Sequence, residues 1–446
     1  MNLTTLEFIR GIRASYWFVP SVMVVLAIAL GALTVWLDAG PAATFFDDLS
    51  WYQKSKPEGA REVLSTIAGS MITVAGVVFS ITIVAISFAA NQYGPRILTN
   101  FMGDRGNQVT LGTFVATFTY SVVVLRTIHA GDTDFVPQLA VLVAMILALC
   151  SIAVLIYFIH HVPESIHINT VTARIGRQLI KSITAQSPSG AKHRSVNDED
   201  ESKRLEQAAQ ALFGAPVAAV RSDTDGYLQL IDEDMLVDIA CEHDVVFRLE
   251  RATGEFVFTG QAIASVSGGP TEEQVCADAR RSWSIGKKRT PEQDLLFLID
   301  ELVEIAARAL SAGVNDPHTA NTCVDWLTAA AAQLARGWNP SRFRCDRNGQ
   351  LRVVLPDADF RTQIDRGFGQ VRPYLAGDVN ATTHALSAIE SLAAVCHTVD
   401  QREVLIEQVD ALATLALSGQ RGPSAERISE TTAAARAAIV RSPRLS

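Results

Sequence analysis

Nowhere in this chain of 446 residues is there a C-x-x-C pair. Its six cysteines (Cys150, Cys241, Cys276, Cys323, Cys345, Cys396) stand singly. That removes the sequence basis for a zinc ribbon or a disulfide framework and fits a reducing compartment for the polar part, which holds five of them. Basic residues are also in short supply. Lys and Arg number 38 against 47 Asp and Glu, for a net charge of −9, which argues against a nucleic-acid partner. There is no phosphate-binding glycine loop, no Ser/His/Asp or Cys/His arrangement and no two-histidine zinc motif on a helix. Enzyme chemistry therefore has no anchor, and neither a catalytic residue nor a cofactor is expected.

Charge is scarce before residue 162 and concentrated after it. What fills the first third is a set of four apolar runs: 17–37, 63–90, 109–128 and 136–159. Each reaches the roughly 20 residues needed to cross a bilayer. The first run is too long for a signal-peptide core and is read as a retained helix. The expected fold is therefore a four-helix transmembrane domain over 1–170. A juxtamembrane helix and linker follow over 171–205. A small β-rich, barrel-like subdomain covers 206–284, and a mainly helical subdomain 285–446.

Lys and Arg in short loops orient the spans. Arg10 and Arg13, then Arg96 and Arg105, then Arg174, Arg177 and Lys181 fall on one side. That side is expected to be cytoplasmic, with both termini on it. The opposing side carries the smaller basic share, Lys54, Lys56, Arg61 and Arg126, together with Asp38, Asp47, Asp48, Asp132 and Asp134, and would lie outside.

The second run carries the clearest pattern. Thr66, Ser70, Thr73, Val77, Ser80, Val84, Ser87 and Asn91 follow steps of four and three, which places them on one stripe of a helix. Six of the eight are polar. Water in a pore would favour such a stripe, and so would a neighbouring helix, because small hydroxylated residues pack closely. The run spans about 42 Å at about 1.5 Å per residue, longer than the bilayer core, and its stripe continues to the cytoplasmic end. The third run adds Thr110, Thr113 and Thr117 on one face.

Elsewhere, His160, Glu164 and His167 have helical spacing, but Pro163 intervenes and no fourth ligand is evident, so no metal is expected. Asn315, Asp316 and His318 are secondary ligand candidates. Asp316 as an N-cap and Pro317 as a first helical residue account for that motif structurally. Asp294, Asp300, Glu301 and Glu304 are expected mostly on the solvent side of a helix. GEFVFTGQAIASV is similar to the closing hairpins of biotinyl/lipoyl-like barrel-sandwich folds, without the lysine that would carry a cofactor.

Three blocks carry a resemblance over nearly the whole chain: FAANQYGPRILTNFMGDRGNQVTLGTFVATFTYSVVVLR, FIHHVPESI, and RTPEQDLLFLIDELVEIAARALSAGVNDPHTA. Together they resemble family 2254 of the domains of unknown function, a group of predicted bacterial membrane proteins. The resemblance implies a bacterial inner-membrane location and supplies no reaction. Three functions compete. One is a homo-oligomeric channel or conduit for small ions, lined by the second span. Another is a membrane-anchored scaffold or sensor whose soluble domain binds a ligand or partner. A secondary transporter is weakest, because inverted repeats, broken helices and intramembrane carboxylates are not seen.

Overall fold

The structure, a computed structural model, describes residues 16–40, 56–94, 104–129, 135–185, 194–195, 199–214, 218–268, 273–336 and 341–441. Arg10, Arg13, Asp47, Asp48, Lys54, Arg96, Asp132 and Asp134 lie outside them. The chain divides into two compact units between Thr170 and Val171.

Among the described residues, the first unit holds four helices long and apolar enough to cross a membrane: α1 (Phe18–Ala39), α2 (Pro57–Tyr93), α3 (Arg105–Leu125) and α4 (Gln138–Ile166). Helix α3 is central and packs against the other three. Glycine permits the α1–α3 approach: a Cβ at Gly112 would collide with Met23, and one at Gly31 would stand 3.0 Å from Val123. Small residues at such crossings are how membrane helices approach closely. At the far end of α1, Asp38 does not sit free in a loop. Its carboxylate accepts from the backbone N–H groups of Leu139 (3.0 Å) and Ala140 (2.9 Å). Those are orphan donors of the first turn of α4, so a residue 100 positions upstream caps that helix.

The second unit begins with α5 (Ile168–Ala185), separated from α4 by the single residue His167. Val171, Ile175, Leu179 and Ile183 bury one face, and Gly176 lets the indole of Trp326 lie directly on the helix. Then come β1 (Arg194–Ser195), α6 (Glu199–Phe213), β2 (Ala218–Arg221), β3 (Gly226–Ile231), α7 (Glu233–Glu242), β4 (Val246–Leu249), β5 (Phe256–Val257), β6 (Ala262–Ser267), α8 (Glu273–Ala279) and β7 (Trp283–Gly286). After β7 the chain is mainly helical: α9 (Leu295–Ala309), α10 (Pro317–Ala335), the hairpin β8 (Phe343–Cys345) and β9 (Leu351–Val354), α11 (Phe360–Ile364), α12 (Gln370–Leu375), α13 (Val379–Leu392), α14 (Val399–Gly419) and α15 (Pro423–Arg441).

The strands form two open sheets, β1-β8-β9-β4-β6-β2 and β5-β3-β7. The barrel-like expectation is thereby corrected: β2 and β3, adjacent in sequence, enter different sheets, so no closure forms. All pairings are antiparallel except β4 with β9. That parallel contact brings the hairpin, with Asn348–Gly349 at its turn, into the sheet of the β-rich portion. The shared core includes Val220, Leu228, Leu236, Phe247, Ile263 and Val353.

The helix starts follow local chemistry. Asp232, Asp294, Asp316, Asp359 and Asp378 each accept backbone N–H bonds at an N-cap, and Thr398 with Gln401 forms a capping box. Between α11 and α12 the chain makes a π turn over Asp365–Gly369. Pro373, which has no N–H to return to the Gly369 carbonyl, lies just beyond it.

Candidate functional site

Helix α2 has two opposed rows. Ala60, Leu64, Ala68, Met71, Ala75, Val78, Thr82 and Ala89 are buried; the neighbours of α2 are α3 and α4. Thr66, Ser70, Thr73, Val77, Ser80, Val84, Ser87 and Asn91 are all exposed. Most members of the second row stand two residues beyond a member of the first. At about 100° per residue that is roughly 200°, so the polar row points away from the bundle. Gly69 and Gly76 belong to the same outer surface, with no atom within 4 Å of where a Cβ would be. Among the described residues, no helix of the same chain packs on this row.

Two of the outer hydroxyls donate to carbonyls of their own helix. Thr73 donates to the Gly69 carbonyl (2.8 Å) and Ser80 to that of Gly76 (2.9 Å). What remains facing outward is oxygen lone pairs, set between the apolar side chains of Val77 and Val84.

The hydroxyls of α3 behave differently. Thr110 and Thr117 are buried. Thr117 and Ser151 share a hydrogen bond of 3.1 Å. Tyr120 donates to the Ala140 carbonyl (3.0 Å) and meets Thr34 at 2.9 Å. Thr117 and Tyr120 thus pair across helices inside the bundle, while Thr110 donates to the Gly106 carbonyl of its own helix (2.8 Å).

At the other end of the bundle, Asp104 caps α3 through the Gly106 N–H (2.7 Å) and meets His161 Nε2 at 3.1 Å. His161 stacks on Tyr157. Helix α4 carries Pro163 inside it and continues to Ile166. His160 and Glu164 are 3.7 Å apart and well exposed, while His167 lies at the helix end. Among the described residues no group of three His, Cys, Asp or Glu is arranged to hold a metal.

In the second unit, Asp316 accepts from the N–H groups of His318 and Thr319 and from the Thr319 hydroxyl. The Thr319 bonds hold its carboxyl below the usual carboxylate range. Asn315 adopts a left-handed conformation at φ 50°, which asparagine tolerates better than most residues. Asn315 and His318 are exposed. The three candidates thus form a helix entry.

A polar cluster that helical periodicity does not reveal lies nearby. Asp294, Asp300 and Glu301 are buried, not solvated. Arg289 binds Asp294 (2.7 and 3.0 Å) and Asp300 (2.5 Å), and Arg366, from the π turn, grips the other side of Asp300. Burial alone would lower the Arg289 pKa, but its bonds to Asp294 and Asp300 carry it above the usual value. The cluster ties the loop after β7 to α9 and the π turn. Arg289 was not singled out by sequence, because its partners lie on separate segments.

No solved structure matches the chain. Uncharacterized proteins of Mycobacterium bovis and Mycobacterium tuberculosis are 31% identical over 448 residues, covering 98% of this chain and 82% of theirs. A family model described as a predicted membrane protein matches residues 13–391. Four candidate spans, a soluble α+β region and this match together show that the chain belongs to the DUF2254 family of predicted membrane proteins.

Proposed function

We propose that the protein is a homo-oligomeric conduit for small ions, each copy contributing α2 to a shared axis. The observation that carries this reading is the outward polar row of α2, which no other helix among the described residues covers. Four helices are few to enclose a path, so copies around an axis would supply the wall. The hydroxyl oxygens would partly replace water around an ion, and rings of Val77 and Val84 would form apolar constrictions that gate by dewetting. The soluble unit would assemble the ring and respond to a cytoplasmic signal. The loop arginines and lysines support a placement in the bacterial inner membrane with both termini cytoplasmic. No catalytic role is proposed for any residue.

The test is ion flux through liposomes containing the purified protein, paired with inter-copy cross-linking of Ser80→Cys. Flux together with a Ser80–Ser80 cross-link supports the conduit. A cross-link without flux favours the alternative, a membrane-anchored scaffold or sensor in which the row is only an assembly seam. Absence of both removes the shared axis.

A further inference from the structure

The edge strand β5 alternates in a way that its own core does not require. Val257 is fully buried, while its neighbours Phe256 and Phe258 are 54% and 56% exposed. Two phenylalanines on the water side of a strand are the reverse of the usual pattern, in which the solvated face is polar. They are also held firmly. Thr259 donates both its N–H (2.6 Å) and its hydroxyl (2.9 Å) to Asp225, and the Phe258 N–H donates to Gln261 (3.2 Å). Ser222 and the turn exchange backbone bonds at 2.9 Å, and Arg221 donates to the Gly260 carbonyl at 2.7 Å. A loop fixed at this many points presents its aromatic rings with little ordering entropy left to lose.

Strand register shows what accompanies them. Phe256, Tyr227 and Gly286 lie in one row across β5, β3 and β7, with Tyr227 and Phe256 edge to face at 5.2 Å. Lys287 and Lys288 follow Gly286 directly at that end of the sheet. Both are exposed, and neither makes an ion pair among the described residues. Arg280 donates to the Arg221 carbonyl beside the same turn. Asp223 and Asp225 lie at the same turn, and hydrogen bonds from Thr259 keep the Asp225 carboxyl below the usual range. Glu255, beside Phe256, is paired with Arg251 at 3.0 Å, which leaves Lys287 and Lys288 as exposed cations without an ion pair among the described residues.

We propose that this end of the three-stranded sheet docks on the anionic lipid surface of the bilayer, with Phe256 and Phe258 at headgroup depth and Lys287 and Lys288 against phosphates. Aromatic rings favour that interface, and basic residues are drawn to anionic leaflets. A lipid surface is the chosen occupant because the chain carries its own: only His167 separates the last candidate span from the helix that packs into the soluble unit. Tethering of this kind makes the second contact effectively intramolecular. The docking does not depend on whether the protein conducts ions.

The experiment places p-benzoylphenylalanine at position 258 of the full-length chain, in liposomes of phosphatidylethanolamine and phosphatidylglycerol. After irradiation, the 258-containing peptide is analysed by mass spectrometry. Position 374 serves as the control, since Tyr374 is also about half exposed, at 48%. The expected result is a phospholipid adduct at 258 and not at 374, falling about tenfold in the Lys287→Glu/Lys288→Glu variant. An adduct to a second copy or to another stretch of the chain would overturn the proposal. So would a yield no higher than at 374, or one indifferent to the lysine reversals. The readout is covalent and independent of flux, so its failure is distinct from failure of the conduit.

Discussion

Asp300 directs its two oxygens at two guanidinium groups from different parts of the chain, Arg289 and Arg366, and is 6% exposed. Removing Asp300 leaves Arg289 with Asp294 alone and takes a buried carboxylate from the partly exposed Arg366, which puts the cost near the lower end of the range for breaking a buried pair, about 3 kcal/mol. Asp300→Ala should therefore sharply lower the thermal unfolding temperature of the soluble unit. Glu304→Ala, one helical turn on, loses the more exposed pair with Arg308, and the loss of that pair should cost about 1 kcal/mol or less. Similar losses from both substitutions would mean that the acidic face of α9 is solvated after all. Helical periodicity places Asp300 away from the apolar stripe, and that much is legible in the sequence. What covers it is Arg366 on a π turn 66 residues later, a contact that no local pattern encodes. Asp316 illustrates the opposite case, since its capping role follows from its place before Pro317. With its pKa depressed by Thr319, its contribution is present above the ordinary carboxylate value of 3.8 and fades as pH falls through the lowered one. Thr319→Ala should shrink that acid-side loss in an unfolding series between pH 6 and about pH 2.

Helix α2 presents the same question at the level of an element. Its steps of four and three are visible in the sequence, and they fit the buried row and the exposed row equally well. Periodicity fixes which residues share a face. Which face is covered depends on the row that α3 and α4 occupy, and they take the Ala60–Ala89 row. If copies meet along the other row, replacing Val77 or Val84 with Ser should make the constriction easier to wet and raise ion leak. Ser80→Leu should lower it. In such a conduit, the outward lone pairs of Thr73 and Ser80, whose protons are committed to Gly69 and Gly76, would favour cations over anions. Reversal potentials in a potassium chloride gradient would read that preference. Flux must be normalised to correctly assembled oligomer, because a bulky residue at Ser80 would also separate close helices. Flux near zero in all three variants with assembly intact would remove the conduit and leave the anchored scaffold.

At the scale of the whole molecule, the polar and apolar thirds are legible from composition alone, whereas the sheet pairing is not. Strand β9 finds β4 across about 100 residues of sequence as a parallel neighbour, a long-range choice that no turn signal announces. Orientation across the bilayer is another global property, and it rests on an asymmetry of a few basic residues. If all four candidate spans cross the bilayer, the segments containing Arg105, Arg174, Arg177 and Lys181 fall on one side, and positive residues are retained on the cytoplasmic side. The opposing side carries Arg61, whose guanidinium donates to the Ile128 carbonyl (2.9 Å), so that part of its charge is engaged locally at the end of the bundle. Labelling intact cells with a membrane-impermeant thiol reagent tests the arrangement, in a background with the exposed Cys150 and Cys241 replaced by Ser. Cysteine introduced at Ser50 should react from outside, and cysteine at Ser195 should react only after permeabilisation. The reverse pattern would put the soluble unit outside the cytoplasm. Its five cysteines would then face an oxidising compartment without disulfide partners, and the lipid surface available to Phe258 would belong to the opposite leaflet.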